Sequence, residues 1–264
     1  MSNRDVRDLL SLRGKVALIT GATGHLGSAM AVALAEAGAS VIASSRSLPD
    51  AEAVLARLPR VEDTEHHAVA IDHMEESSIS RGFEAAVSKA GRVDALICNG
   101  NEAQASDWTT VTGEQFTRHL SNATGYFLLA RAFRNHLVSR GGSGAVVMIG
   151  SMYGLVGSYP EAYEGIAPAS PVAYHVLKGG LIQLTRHLAV YWAKDNVRVN
   201  CLSPGPFPPE RIAPEMVERL TLKSPMGRMG EPAELKSAVV FLTSDGSSYM
   251  TGQNLVIDGG WTAW

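Results

Sequence analysis

The 264-residue sequence predicts an α/β protein, a single domain over residues 1–264 built on one doubly wound parallel sheet of about seven strands with helices on both faces. Three observations predict it. Short apolar runs rich in β-branched residues alternate with helix-period segments almost to the end of the chain, the pattern of right-handed crossovers. Several of these runs lack a polar alternation, as strands buried on both faces do. A glycine-rich turn joins the first run to the first helix, where sheets of this kind bind nucleotides.

The elements follow in order. The first strand, Val16–Thr20, passes through the glycines into an Ala-rich helix at Leu26–Ala37. The second and third strands, Ser40–Ser44 and His67–Ile71, flank a helix at Asp50–Leu58. Helix Ser77–Ala90 leads to the fourth strand, Ala95–Cys98, and the long helix Gly113–Ser139 leads to the fifth, Ala145–Ile149. After a Pro/Gly-rich break at Tyr159–Pro171 comes a helix at Pro171–Lys194, then the sixth strand, Val197–Leu202. A second break, Pro204–Pro214, precedes a helix at Pro232–Thr243 and the last strand, Leu255–Ile257. No linker or repeat divides the chain, and both breaks read as loops near a site. A substrate loop is expected at about 152–171, and a mobile lid with a short helix (Glu210 to Ser224) at about 205–225.

Composition narrows the function. Hydrophobic residues at 45% and charged ones at 19% suit an ordinary globular protein. A net charge of −3, with no block of like charge, argues against nucleic acid or an anionic membrane as the main partner. The two cysteines, Cys98 and Cys201, stand in apolar runs without metal-ligand or CxxC spacing. They read as small buried hydrophobes, and a disulfide-built framework is excluded. Val16–Ala35 carries no charge after a basic N-terminus, yet Gly21, Gly24, Gly27, Thr20, Thr23, His25 and Ser28 interrupt it. The stretch is therefore read as strand, turn and helix, not as a signal peptide or membrane span, and the expected location is cytoplasmic.

Two motifs carry chemistry. Thr20-Gly21-Ala22-Thr23-Gly24-His25-Leu26-Gly27 lets the backbone approach a pyrophosphate, whose charge the free N–H groups of the following helix stabilise. Three glycines in such a run also suit any tight strand–helix turn, and the position after the first strand is what gives them weight. Tyr174-His175-Val176-Leu177-Lys178 sets a phenol and an ammonium one turn apart on one helical face. An ordinary phenol, with a pKa of about 10, is a poor acid or base at neutral pH. A unit positive charge at about 4 Å is worth roughly 4 kcal/mol at an effective dielectric constant of about 20, enough to favour the ionised phenol. Alone, this spacing occurs by chance in many proteins.

With these residues the chain resembles a short-chain dehydrogenase/reductase of the shorter, single-domain branch, over nearly its whole length. The resemblance implies a Rossmann domain that moves a hydride between nicotinamide C4 and a carbonyl or alcohol carbon. It implies cofactor contacts at Gly21, Thr23, Gly24, His25, Leu26 and Gly27, at Asp72 beside the adenine, and at Asn99 and Gly100 after the fourth strand. Pro204, Gly205 and Phe207 would run beside the nicotinamide, with the Phe207 N–H on its carboxamide. Tyr174 would exchange the proton, Lys178 would favour its ionised form and hold the nicotinamide ribose, and Ser151 would orient the substrate. Asn122 would hold a water in the proton relay to the lysine.

Some positions depart from the family pattern. The turn is TGxxGxxG instead of TGxxxGxG, with His25 where the middle glycine usually falls. Cys98-Asn99-Gly100-Asn101 replaces NNAG, and Pro208 and Pro209 stand where relatives often have a threonine. Ser45 and Arg46 follow the second strand with no carboxylate beside them, so NADP(H) is expected over NAD(H), the alternative being an exposed surface arginine. His175 and His187 lack metal spacing and are read as packing or surface residues, and no metal is expected.

Ser151 and Tyr174 lie 23 residues apart, a longer connection than is usual in the family. The extra loop, Ser158 to Gly165, is expected over the crevice, where its tyrosines and glutamates suit a polyhydroxylated substrate. The Ser151-Met152-Tyr153-Gly154 segment and the C-terminal Gly259-Gly260-Trp261-Thr262 are similar to sugar-acid dehydrogenases. A sugar, aldonate or polyol is therefore expected, with a 3-oxoacyl-thioester (acyl-carrier-protein) reductase as the nearest rival. A nucleotide-sugar epimerase or dehydratase, suggested by the glycine spacing, and a non-catalytic NADP(H)-binding regulator are further alternatives. The expected partners are a small-molecule substrate and further copies of the chain, as a dimer or tetramer.

Overall fold

The computed structural model describes residues 4–61 and 63–264. Val16–Thr20 (β1), Ser40–Ser45 (β2), His67–Ala70 (β3), Ala95–Cys98 (β4), Gly144–Ile149 (β5), Val197–Pro204 (β6) and Asn254–Ile257 (β7) form one parallel sheet, ordered β3-β2-β1-β4-β5-β6-β7. The helices are α1 (Val6–Leu10), α2 (His25–Glu36), α3 (Leu48–Leu55), α4 (Glu76–Ala90), α5 (Gly113–Ser139), α6 (Pro160–Tyr163), α7 (Val172–Trp192), α8 (Pro214–Thr221) and α9 (Lys236–Thr243).

The unbroken apolar strands follow from coverage on both faces. In β1, Leu18 joins Leu96 and Val146 beneath α4, α5 and α7, through Phe83, Leu129, Phe133 and Leu181. Its neighbours Ala17 and Ile19 join Ile97 on the other face, beneath Met30 and Leu34 of α2, Val54 of α3 and Leu242 of α9. Burying each large apolar side chain stabilises by about 1.5–3 kcal/mol, so two-sided packing sets the layers more than helix propensity does.

Local chemistry sets several ends. α5 starts where expected because Thr112 and Gln115 form a reciprocal capping box. α4 stops at Gly91, whose φ of 75° is the left-handed value that ends helices. α3 starts two residues before the expected Asp50, since the Ser47 hydroxyl accepts the Asp50 N–H and Pro49 sits in the first turn. β6 runs on to Pro204 because β7 pairs alongside its end, Ser203 with Val256 and Pro204 with Ile257. The expected helix at Pro232–Thr243 divides into a 3-10 turn, Pro232–Leu235, and α9.

β1 pairs with β2 on one side and β4 on the other, so chain order reverses there and a crevice opens at the carboxyl ends of these strands. No helix among the described residues is long and apolar enough to cross a membrane.

Candidate active site

The crevice, about 510 Å³, is walled by the turn between β1 and α2, by Ser45 to Ser47, and by the segment after β4. The turn is tight for steric reasons. A Cβ on Gly27 would lie 2.1 Å from the Gly21 carbonyl oxygen, and one on Gly21 would lie 2.9 Å from the Gly100 Cα. α2 begins at His25 after Gly24, with no side-chain cap and no acidic residue in its first turn, leaving its N–H groups to an anion. Thr23, Gly24, His25 and Leu26 line the crevice with Gly21 and Gly27, and the His25 side chain is exposed at its wall.

Asn99 serves this turn. Its Nδ2 donates to the carbonyls of Thr20 (3.1 Å) and Gly21 (3.0 Å), while Thr20 Oγ1 accepts the N–H groups of Asn99 and Gly100, each at 3.0 Å. Gly100 is small for a visible reason, since a Cβ there would lie 3.0 Å from His73 Nδ1. After β2, Ser45, Arg46 and Ser47 line the wall, and so does Asp50. The expectation of no carboxylate there is corrected: the first turn of α3 brings Asp50 back to the rim. Asp72 is not in this wall. Its Oδ1 accepts the Met74 N–H at 3.0 Å, and Ile71, His73 and Met74 line the crevice instead.

A smaller cleft, about 180 Å³, opens from the same place and brings together Ser151, Tyr174 and Lys178 with Pro204 and Gly205. Leu26, Asn99 and Asn101 line both spaces and so join them. Tyr174 and Lys178 share one face of α7, as their spacing requires. Lys178 is 4% exposed, its Nζ donates to the Ile149 carbonyl at 2.7 Å, and it lies 5.4 Å from the Tyr174 ring centroid. Ser151 Oγ accepts the Tyr153 N–H at 3.1 Å and keeps its own hydrogen to donate.

Asn122 is fixed by its side-chain bonds. It is 1% exposed, and its side chain bonds His73 Nε2, the Glu102 N–H and carbonyl, and the His119 carbonyl. It thereby ties the segment after β4 to α5. Phe207 turns its side chain away from the cleft. Its ring abuts Gly230 and lines a neighbouring cavity with Met226 and Arg228, while only Pro204 and Gly205 of that segment reach the cleft.

The family model described as Enoyl-(Acyl carrier protein) reductase matches residues 21–262. The chain belongs to the short-chain dehydrogenase/reductase family. It is 35% identical to galactitol 2-dehydrogenase (L-tagatose-forming) of Cereibacter sphaeroides, over 98% of this chain and 100% of that one. It is 31% identical to the 3-oxoacyl-[acyl-carrier-protein] reductase of Aquifex aeolicus, over 95% of this chain and 98% of that one. The crystal structure of a gluconate 5-dehydrogenase from Burkholderia cenocepacia, in complex with NADP and tartrate, superposes with a TM-score of 0.86 at 28% identity, covering 98% of this chain and all of that one. This short-chain dehydrogenase/reductase is accordingly an NAD(P)-dependent oxidoreductase acting on alcohol or carbonyl groups. Its crevice fits a dinucleotide, because the forced glycines leave bare backbone N–H groups where the pyrophosphate lies in such sheets.

In this dehydrogenase the extra loop and the lid segment grip one another. Arg219 of α8 donates to the carbonyls of Glu161 (3.0 Å) and Glu164 (2.6 Å). Lys223 pairs with the Glu161 carboxylate at 2.8 Å, lowering the latter's pKa, and sits over the Tyr159 ring at 4.7 Å. The Tyr163 hydroxyl meets that of Tyr153 at 2.8 Å, and burial above all pushes the Tyr153 phenol up. None of these side chains lines the cleft beside Tyr174, which corrects the expectation that Glu161 and Tyr163 face the substrate. His175 stacks on Tyr153 at 4.6 Å and bonds Ser170, and His187 packs on Tyr191. Cys98 and Cys201 are buried, and burial raises both thiols.

From the sequence alone His73, Glu102, Arg118 and His119 carry no role, and Asn101 is only a departure from the family pattern. Arg118 holds Glu102 by two bonds, at 2.6 and 2.8 Å, over the segment that Asn122 fastens. Two signals were present: Asn101 stands in place of the glycine of NNAG, and His119 is a polar residue on the inner side of a helix.

Proposed function

We propose that the protein is an NADP(H)-preferring dehydrogenase of a sugar, aldonate or polyol, interconverting a secondary alcohol and its ketone. The observation that carries this reading is the shared cleft of Ser151, Tyr174 and Lys178, walled by the amides of Asn99 and Asn101 at the mouth of the dinucleotide crevice. Such a lining offers hydrogen bonds to a hydroxylated substrate. The printed activities of the galactitol and gluconate relatives support the same substrate class.

In this reading Tyr174 gives a proton to the substrate oxygen, or takes one from its hydroxyl, and Ser151 donates its free O–H to the same oxygen. Lys178, anchored on the Ile149 carbonyl beside the Tyr174 ring, would hold the nicotinamide ribose. The bound nicotinamide supplies or accepts the hydride. Gly21 to Gly27 hold the pyrophosphate, and Pro204 and Gly205 flank the nicotinamide. Arg46 with Ser45 takes the 2′-phosphate by charge and hydrogen bonds, and Asp50 on the same rim limits how strict that preference is. The enzyme works as a dimer or tetramer in the cytoplasm. Val190 and Tyr191 of α7, 77% and 60% exposed, support a subunit contact.

The Aquifex relative favours the rival reading, a 3-oxoacyl-thioester reductase. Purified protein with NADPH, a panel of keto sugars and keto aldonates, and an acetoacetyl thioester separates the two. NADPH consumption on a sugar ketone or keto acid is the expected result. A clear preference for the thioester over every sugar tested overturns the proposal.

A further inference from the structure

Ser151 is set by the turn that follows it. Its Oγ accepts the Tyr153 N–H at 3.1 Å and so caps a single 3-10 turn, Met152–Gly154. That turn is pressed against the catalytic helix, since a Cβ on Gly154 would lie 2.7 Å from the Lys178 carbonyl oxygen. The bond that Ser151 accepts limits the directions left to its own O–H, so the placement of Tyr153 governs the serine hydroxyl.

Tyr153 is clamped twice. Its ring stacks on that of His175, the residue after Tyr174, with centroids 4.6 Å apart and planes 30° apart, and His175 Nε2 bonds the Ser170 hydroxyl at 3.0 Å. Its hydroxyl meets the Tyr163 hydroxyl at 2.8 Å, the usual length of an O–H···O bond. Tyr163 ends α6, within the loop that lengthens the connection between Ser151 and Tyr174. The backbone of α6 is held without help from the cleft. Ala162 is 1% exposed, and Arg219 of α8 donates to the carbonyls of Glu161 and Glu164 on either side of Tyr163. The two half-buried phenols, each a rigid ring, form a strut from α6 to the catalytic turn.

We propose that Tyr163 is a positioning residue: its hydroxyl holds Tyr153, and through Tyr153 it holds the Ser151 hydroxyl in register with Tyr174. The inserted loop thus braces the catalytic serine. The inference rests on Ser151 orienting the substrate oxygen, as in the proposed function. Tyr163 does not line the cleft, so its loss falls on the reacting geometry, and hence on kcat more than on KM.

Two double-variant cycles test this, assayed with the best ketone of the panel. Tyr163→Phe keeps the ring and removes the hydroxyl. It is expected to lower kcat about three- to tenfold, the scale of one lost hydrogen bond that leaves a buried partner unpaired, with KM and NADPH binding near parental. Added to Ser151→Ala, the same substitution is expected to cost nothing further, because the brace has no hydroxyl left to hold. Tyr153→Phe removes the bond from the other side, and Tyr153→Phe with Tyr163→Phe is expected to lose no more kcat than either alone. That second cycle reads the brace even where Ser151→Ala is inactive. Parental kcat in Tyr163→Phe or Tyr153→Phe overturns the brace, whatever happens to Tm, and so does a change confined to KM. Additive losses in either cycle overturn it too. Equal losses with and without the serine hydroxyl defeat only the brace, whereas a Ser151→Ala enzyme as active as the parent defeats the role of Ser151 in the proposed function as well.

Discussion

At the nucleotide end of the crevice, Gly21, Gly27 and Asn99 are held by main-chain contacts and by bonds of 3.0–3.1 Å between β1, α2 and the segment after β4. Elsewhere, α6 and α8 are joined by side chains standing in solvent, Lys223 on Glu161 and Arg219 on two carbonyls, with the Lys223 and Glu161 side chains 32% and 58% exposed. In the first region the backbone segments approach so closely that Gly21 and Gly27 leave no room for a Cβ. The second is held by ion pairs of a kind worth about 0–1 kcal/mol each, and salt screens them. One region is therefore held by close backbone packing, while the other is held by contacts that cost little to break.

The largest expected effect lies between the two ends. Tyr174→Phe keeps the ring packing of both and should cost about 10²–10⁴-fold in kcat, with NADPH binding retained. Turnover within about tenfold of the parent, roughly 1.4 kcal/mol of barrier, would give the proton step to another group.

Gly27→Ala tests the rigid end. The added Cβ meets a backbone oxygen that cannot move cheaply, so about 3 kcal/mol of stability and most of the cofactor affinity should go. Thermal melts and a cofactor titration read both, and parental values would mean that α2 can slide.

Arg46→Ala should weaken NADPH by about 1–3 kcal/mol and leave NADH nearly untouched, because only one of them carries the 2′-phosphate. Equal kcat/KM for the two cofactors in the unmodified enzyme would contradict the assignment. Asp50→Asn, at the same rim, should shift the preference further toward NADPH.

Smallest in stability is Glu161→Ala at the loose end, at less than about 1 kcal/mol. There, KM for the best substrate and its dependence on salt should change while NADPH affinity does not. A KM indifferent to salt in parent and variant alike would make the loop a fixed wall and erase the contrast between the two ends.

What the sequence determined by itself was whatever depends on neighbours along the chain. Strand periodicity, the glycine turn, the Thr112 capping box and the one-turn spacing of Tyr174 and Lys178 are local, and β1, β4 and α5 begin and end where their residues predict. Strand ends such as Pro204 moved because another strand pairs there, and pairing is not a local property. The tertiary structure alone decided which polar atoms meet. It spent the Asn122 side chain on His73, Glu102 and His119, returned Asp50 to the crevice rim, turned Phe207 toward Gly230, and fastened the Ser158–Gly165 loop to α8. The His119 carbonyl and Asp50 are reached within one helical turn, but the other contacts are set by how helices and loops pack on the sheet and join residues whose spacing in the chain carries no trace of the other.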